Sequence, residues 1–215
     1  MSYFEVDEPP EEVLPPSYNV APTDPVYAVL QRHDRRQLRV LRWGLVPSWA
    51  KDPKVGARFI NARAETVATT RAFRSAYQRR RCLVPADGYF EWKKDGARKQ
   101  PWYLTSTSAR GAGGEPLAMA GLYEVWRGAD ETWLWTCTLV TTDAPDELGE
   151  IHDRTPMLVP REQWAAWLDP ELPDPQALLV PGTPGVLEAW PVPAAVGNVR
   201  NNGPELVLPF TEGDR

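Results

Sequence analysis

The chain has 215 residues, 42% of them hydrophobic and 25% charged, with a formal net charge of -5; that composition is ordinary for a globular domain and excludes a collagenous or low-complexity chain. No run approaches the ~18 apolar residues of a membrane span, and the acidic start, Met1 to Glu8, has no apolar core of a secretory signal. The average charge conceals a block structure: residues 1–31 hold six acids and no Lys or Arg, residues 32–99 hold 18 basic against six acidic side chains, and residues 100–215 hold six against 17. A local field of that size in the middle of the chain steers a phosphate backbone even when the net charge is negative, unless the arginines are a solvated face paired with the acids of the third block.

In chain order, Val26–Leu30 and Leu38–Trp43 read as two strands around the polar turn Arg32–Arg36. Pro47–Ala57 reads as a loop and Phe59–Arg63 as a short strand. Thr69–Arg80 is predicted helical, with Thr69 or Thr70 as cap and Ala72, Phe73, Ala76 and Tyr77 on one face. Arg81–Val84 and Gly88–Lys93 are predicted strands; Asp95-Gly96 is a hairpin signal leading to Pro101–Thr105. After a Gly/Ala loop at 109–114 come the two longest strands, Leu117–Trp126 and Thr132–Thr142. Arg161–Leu168 is a short amphipathic helix with Trp164 and Trp167 on one side, and strand pieces follow near Val186–Trp190 and Glu205–Leu208. Many short strands with scattered helices point to a single α+β domain over residues 1–215, built on a curved antiparallel sheet or barrel with peripheral short helices.

Two cysteines, Cys82 and Cys137, both in apolar runs, make no disulfide framework, and a reducing cytoplasm is the expected compartment. The Cys and His residues are scattered singly at 33, 82, 137 and 152, which is not a zinc pattern; no metal and no cofactor is expected. There is no Walker loop, Rossmann glycine pattern or Gly-x-Ser-x-Gly elbow. Asn61 and Arg63, two apart in a strand, share a face. Glu91 stands among aromatics in Gly88-Tyr89-Phe90-Glu91-Trp92, either as a solvent-facing strand residue or as a carboxyl in an apolar pocket suited to acid–base work. His152, in Ile151-His152-Asp153-Arg154, is the candidate histidine of an enzyme; His33 is read as surface.

Six motifs together resemble one family: Tyr18-Asn19-Val20-Ala21-Pro22, Trp43-Gly44-Leu45-Val46-Pro47-Ser48-Trp49, Ile60-Asn61-Ala62-Arg63-Ala64-Glu65-Thr66, Arg81 to Trp92, Ile151-His152-Asp153-Arg154-Thr155-Pro156-Met157, and Val196-Gly197-Asn198-Val199-Arg200-Asn201. Their order and spacing are similar to those of the SRAP proteins, the SOS response-associated peptidases, which include abasic-site processing proteins. The resemblance implies a cytoplasmic DNA-damage protein, expected to be a monomer, whose partner is single-stranded DNA containing abasic sites. It implies capture of the abasic sugar as a covalent thiazolidine crosslink through an N-terminal Cys, with self-processing peptidase chemistry of hydrolase or lyase type. It assigns catalytic roles to Asn61 (positioning the amine), Glu91 (proton shuttle) and His152 (sugar opening). Arg63, Arg71 and Arg154 match phosphate contacts, Trp49 an aromatic that stacks on bases, and Asn19 and Pro22 belong to the same DNA-binding set. The family begins Met-Cys-Gly-Arg, whereas this chain begins Met1-Ser2-Tyr3-Phe4; a chain truncated at its N-terminus, without the nucleophile, is therefore expected. Two other readings remain open: a non-covalent single-stranded DNA-binding module, and a thiol hydrolase using Cys82 or Cys137 with His152.

Overall fold

A computed structural model describes residues 3–96, 98–109, 114–181 and 185–210. Among these, the chain forms, in order, strands β1 (Pro25–Arg32), β2 (Arg35–Trp43) and β3 (Asn61–Arg63), helix α1 (Arg74–Arg79), strands β4 (Arg81–Ala86), β5 (Gly88–Asp95), β6 (Arg98–Ser106), β7 (Leu117–Arg127), β8 (Trp133–Asp143) and β9 (Arg154–Pro156), helix α2 (Trp164–Leu168) and strand β10 (Leu187–Pro191). The first hairpin turns on His33-Asp34, at φ 51 and 60. Two consecutive left-handed residues make the tight turn whose twist suits antiparallel strands.

Antiparallel pairing runs β2-β1-β4-β7-β8, and a short parallel contact between β2 and β8, at Arg42–Thr136 and Trp43–Cys137, closes these five strands into a barrel. β3 joins β8 in parallel and β9 joins it antiparallel. β10, β6 and β5 form a separate antiparallel sheet. The structure is thus α+β with a barrel core, as the pattern of short strands predicts; the two parallel contacts are additions that local alternation does not reveal, because they join segments far apart in the chain.

The barrel strands are covered on both faces. Ala28, Leu30, Leu41, Cys82, Val84, Met119 and Cys137 fill the interior. Val29, Leu83, Ala120, Leu122 and Val140 face outward under Phe4, Ala76 and Tyr77 of the α1 region and Trp164 and Trp167 of α2. β7 is consequently buried from Leu117 to Glu124 without alternation. The interior is narrow: a Cβ on Gly121 would lie 2.8 Å from Cys82 Sγ. Burial pushes the Cys137 thiol up to about 12 and raises Cys82 well above its ordinary value. Thiolate is the reactive form of cysteine, so neither residue is placed to serve the thiol-hydrolase alternative.

Several expected elements differ. The helix predicted over Thr69–Arg80 contracts to Arg74–Arg79; the Thr69 and Thr70 hydroxyls donate to the Thr66 carbonyl, closing turns instead of capping a helix. Glu205–Leu208 is a 3-10 turn over Pro204–Val207, with Pro204 in its first turn and Leu206 buried against Val192 and Val196. The helix expected at Arg161–Leu168 begins with a 3-10 turn, Arg161–Gln163, before α2. The loop expected at 109–114 has its residues 110–113 outside the described residues.

Candidate functional site

The side chains of Tyr89, Glu91 and Lys93 alternate onto one face of β5, and that face docks on the segment Glu150–Thr155. The Tyr89 hydroxyl bonds Thr155 Oγ1 at 2.7 Å, and Lys93 Nζ lies 3.3 Å from Glu150 Oε2. Glu91, between them, faces His152 and Asp153. Burial pushes its carboxyl above the ordinary glutamate range; the neighbouring His152 and the Trp92 backbone N–H pull it down, and Asp153 pushes it up. Trp102 of β6 stands directly opposite Glu91, hence on the same face. Its indole Nε1 is buried without a hydrogen-bond partner. The aromatic surroundings of Glu91 therefore include a residue from a different strand, which the sequence reading missed. A carboxyl held above its usual range and set beside an imidazole is suited to acid–base work.

His152 itself is exposed. Its Nδ1 accepts the Arg154 backbone N–H at 3.0 Å and lies 3.2 Å from Asp153 Oδ1. The same nitrogen lies 3.2 Å from the Arg154 carbonyl; in the tautomer protonated on Nε2, Nδ1 is free to accept the Arg154 N–H.

His152 and Asp153 form one wall of an open groove whose other lining residues are Arg63, Glu65, Thr66, Asp143 and Arg154. β3 supplies Arg63: Ala62 is fully buried while Asn61 and Arg63 are exposed, as the spacing predicts. Arg63 pairs in register with Thr141 of β8. Asn61 lies ~7 Å further along the same face; among the described residues no hydrogen bond joins it to Glu91 or His152. Arg154 is differently occupied. Its Nη1 donates to Glu65 Oε1 at 2.8 Å and Asp143 Oδ1 at 2.6 Å, and its Nη2 donates to Glu65 Oε2 at 3.0 Å and the Thr141 carbonyl at 2.6 Å. The side-chain hydrogen bond from Arg154 holds the Glu65 carboxyl below the usual carboxylate range. Arg154 thus clamps Glu65, β8 and β9 together, and its charge reaches the groove compensated by two carboxylates. Glu65 is visible in the Ile60–Thr66 motif, but nothing local to either residue marks it as a partner of Arg154.

Trp49 and Arg71, both expected at the DNA, meet one another: the Arg71 guanidinium sits 4.6 Å over the ring of Trp49, which is 49% exposed. The loop carrying Trp49 is held by a bond from Trp126 Nε1 to the Ala50 carbonyl, 2.7 Å. Asn19 spends its amide internally. Its Nδ2 donates to the carbonyls of Val196, Asn198 and Asn201 at 3.0–3.2 Å, tying the first of the six motifs to the last. Pro22 is exposed, ahead of Thr23 at φ 78, and does not line the groove.

The family model "SOS response associated peptidase (SRAP)" matches residues 2–199. The chain belongs to the SRAP family. It is 39% identical over 209 residues to abasic site processing protein YoqW of Bacillus subtilis (strain 168), a match spanning 95% of this chain and 91% of YoqW. It is 36% identical over 197 residues to abasic site processing protein YedK of Escherichia coli (strain K12), covering 89% and 84% of the two chains. Among solved structures it is similar to a protein from Bacteroides thetaiotaomicron, with TM-score 0.76 and 25% identity over 88% of this chain and 82% of that one.

Glu91 of this SRAP chain carries a stability prediction. Its folded pKa is raised, so the folded protein holds this proton more tightly than the unfolded one, and stability falls as pH rises from the ordinary glutamate range through the raised value. At neutral pH the ionised carboxyl is a net cost. Glu91→Gln is expected to raise the melting temperature at pH 7, and the gain should disappear below pH ~4, where glutamate is protonated in both states. Thermal melts at the two pH values check this; a variant less stable than the unchanged chain at pH 7 contradicts it.

Proposed function

We propose that this SRAP chain recognises abasic sites in single-stranded DNA, with the strand crossing the groove edged by Arg63 and with the abasic sugar at Glu91 and His152. One observation carries the reading: a half-buried carboxyl, its proton affinity raised, is set beside an imidazole at the edge of an open groove. The names of YoqW and YedK, abasic site processing proteins, support the substrate class.

The chemistry is the capture of an aldehyde by a 1,2-aminothiol. The ring-opened abasic sugar presents an aldehyde at C1. The α-amine of an N-terminal Cys adds to it, water leaves to give the imine, and the thiol adds across the C=N bond to close a thiazolidine; aldehyde and aminothiol become thiazolidine and one water. Glu91 accepts a proton from the adding amine and returns it to the departing hydroxyl. As the ring opens, the bond from C1 to the ring oxygen breaks, the imidazolium form of His152 gives its Nε2 proton to that oxygen, and Glu91 takes the C1 hydroxyl proton as the aldehyde C=O forms and returns it to His152. Asn61 orients the amine.

Binding is testable without the covalent step. Fluorescence anisotropy should show abasic single-stranded DNA binding tighter than the duplex. Arg63→Ala and Arg71→Ala should each weaken binding and lower the salt slope by about 0.7, one lost phosphate contact on a single strand. Trp49→Ala should weaken binding with little change in slope, since base stacking is worth ~1–3 kcal/mol and is uncharged. An affinity independent of salt overturns the reading. The second reading, non-covalent binding alone, is favoured by the burial of both thiols inside the barrel.

A further inference from the structure

We propose a second nucleic-acid contact at the opposite mouth of the barrel, where Arg32 and Arg39 grip a phosphate of the same single strand and Trp133 stacks on one of its bases; this rests on the DNA-binding reading above. The register puts these residues on the interior face. Arg39 pairs with Ala28 and Gln37 with Leu30, and Ala28 and Leu30 lie inside the barrel; residues directly opposite share a face. Arg32 follows Leu30 on β1, and Trp135 and Trp133 precede the interior Cys137 on β8 by the same alternation. The Arg32 and Arg39 guanidinium carbons lie 5.3 and 4.8 Å from the centroid of the Trp135 ring, and that ring stacks on Tyr123 at 5.9 Å and 16°.

The charges at this mouth are unbalanced. Arg35, Arg36 and Arg127 pair with Glu8, Glu5 and Glu131. Among the described residues no carboxylate pairs with Arg32 or Arg39; Arg39 Nε donates only to Gln37 Oε1, 3.2 Å away. Two like charges held against one indole repel, and the cation–π attraction offsets only part of that. An anion between them removes the repulsion, and a guanidinium pair matches phosphate oxygens in geometry as well as charge. Beside them Trp133 is 63% exposed, with Arg127 at 5.5 Å. The indole face turned away from Arg127, next to a phosphate site, takes an unpaired base, which selects a single strand over a duplex. Along β8, Trp135 precedes Thr141, the groove position, by six residues, or ~20 Å. A strand lying in the groove needs several further nucleotides to reach the mouth.

Length dependence separates the two contacts. Anisotropy is measured with single strands of about 4 and about 16 nucleotides, the short and long ends of single-strand site sizes, each with one abasic site. The double variant Arg32→Ala/Arg39→Ala should leave the short strand within about twofold, weaken the long strand about tenfold or more, and lower its salt slope by about 0.7, the share of the one phosphate that the pair holds. Trp133→Ala, an exposed position that leaves the interior untouched, should weaken the long strand at least about fivefold with its slope unchanged. If both variants bind the long strand as the unchanged chain does, while Arg63→Ala weakens both strands, the mouth contact is wrong and the groove reading stands. If the unchanged chain binds neither strand, both are wrong. If inorganic phosphate shifts the Arg32 and Arg39 side-chain NMR signals and the long strand does not, the mouth is a free-anion site and the strand assignment is overturned.

Discussion

A form of this chain with an added N-terminal segment beginning Met-Cys-Gly-Arg ahead of Phe4 is expected to crosslink abasic single-stranded DNA in a product that survives denaturing electrophoresis. The 215 residues as printed are expected to form none. The reaction needs an amine and a thiol on adjacent carbons, which among protein groups exists only at an N-terminal Cys. Residue 2 is Ser, and a hydroxyl is a far weaker nucleophile than a thiol. Cys82 and Cys137 are interior and their thiols are held in the neutral form. The α-amine alone forms an imine that water reverses. Borohydride, which reduces imines, should therefore trap a fraction of the 215-residue chain on DNA, whereas the extended form needs no reductant. In the extended form Glu91→Gln should slow crosslinking by about 10²–10⁴-fold, the range of general acid–base catalysis, while strand binding persists. A 215-residue chain that crosslinks as fast as the extended one, without reductant, means that the chemistry does not use an N-terminal thiol.

Arg81→Met is expected to destabilise the fold by about 3–5 kcal/mol, more than any surface change. Arg81 opens β4 on its outer face, 2% exposed. Its Nη1 donates to the carbonyls of Tyr77 and Gln78, both at 2.7 Å, Nε to that of Trp167 at 2.7 Å, and Nη2 to that of Asp169. Tyr77 and Gln78 lie in the last turn of α1 and Trp167 in the last turn of α2, where helical carbonyls have no partner within the helix and the backbone dipole is negative. One guanidinium thus serves two helix ends and pins both to the barrel. Methionine fills the space but donates nothing, and each buried carbonyl left unsatisfied costs ~1–3 kcal/mol. Arg81→Lys should fall between the two, since an ammonium cannot span the same fork. Urea melts measure this; a loss under ~1 kcal/mol for Arg81→Met would mean that water replaces the guanidinium at no cost.

Both expectations turn on information of different reach along the chain. Apart from β9 and the false strand at Glu205–Leu208, the strands, the turn at His33-Asp34, the shared face of Asn61 and Arg63 and the inward pair Trp164 and Trp167 were legible in the sequence, because alternation, turn chemistry and helical spacing are set between near neighbours. The family match likewise needed only the order of short motifs. The helix at Thr69–Arg80 was overestimated because periodicity registers an apolar face but not the Thr hydroxyls that close turns back onto Thr66. At the site, local sequence context singled out Glu91 and His152 and the family resemblance added Arg154, yet their chemical states come from partners far away in sequence. Trp102, across a hairpin, helps enclose Glu91; Glu65, 89 residues from Arg154, takes up its charge; carbonyls of two helices take up that of Arg81. Charge compensation and desolvation depend on distance in space, and barrel closure is what sets that distance, so residue type was readable from the chain while protonation and pairing were decided by the tertiary structure.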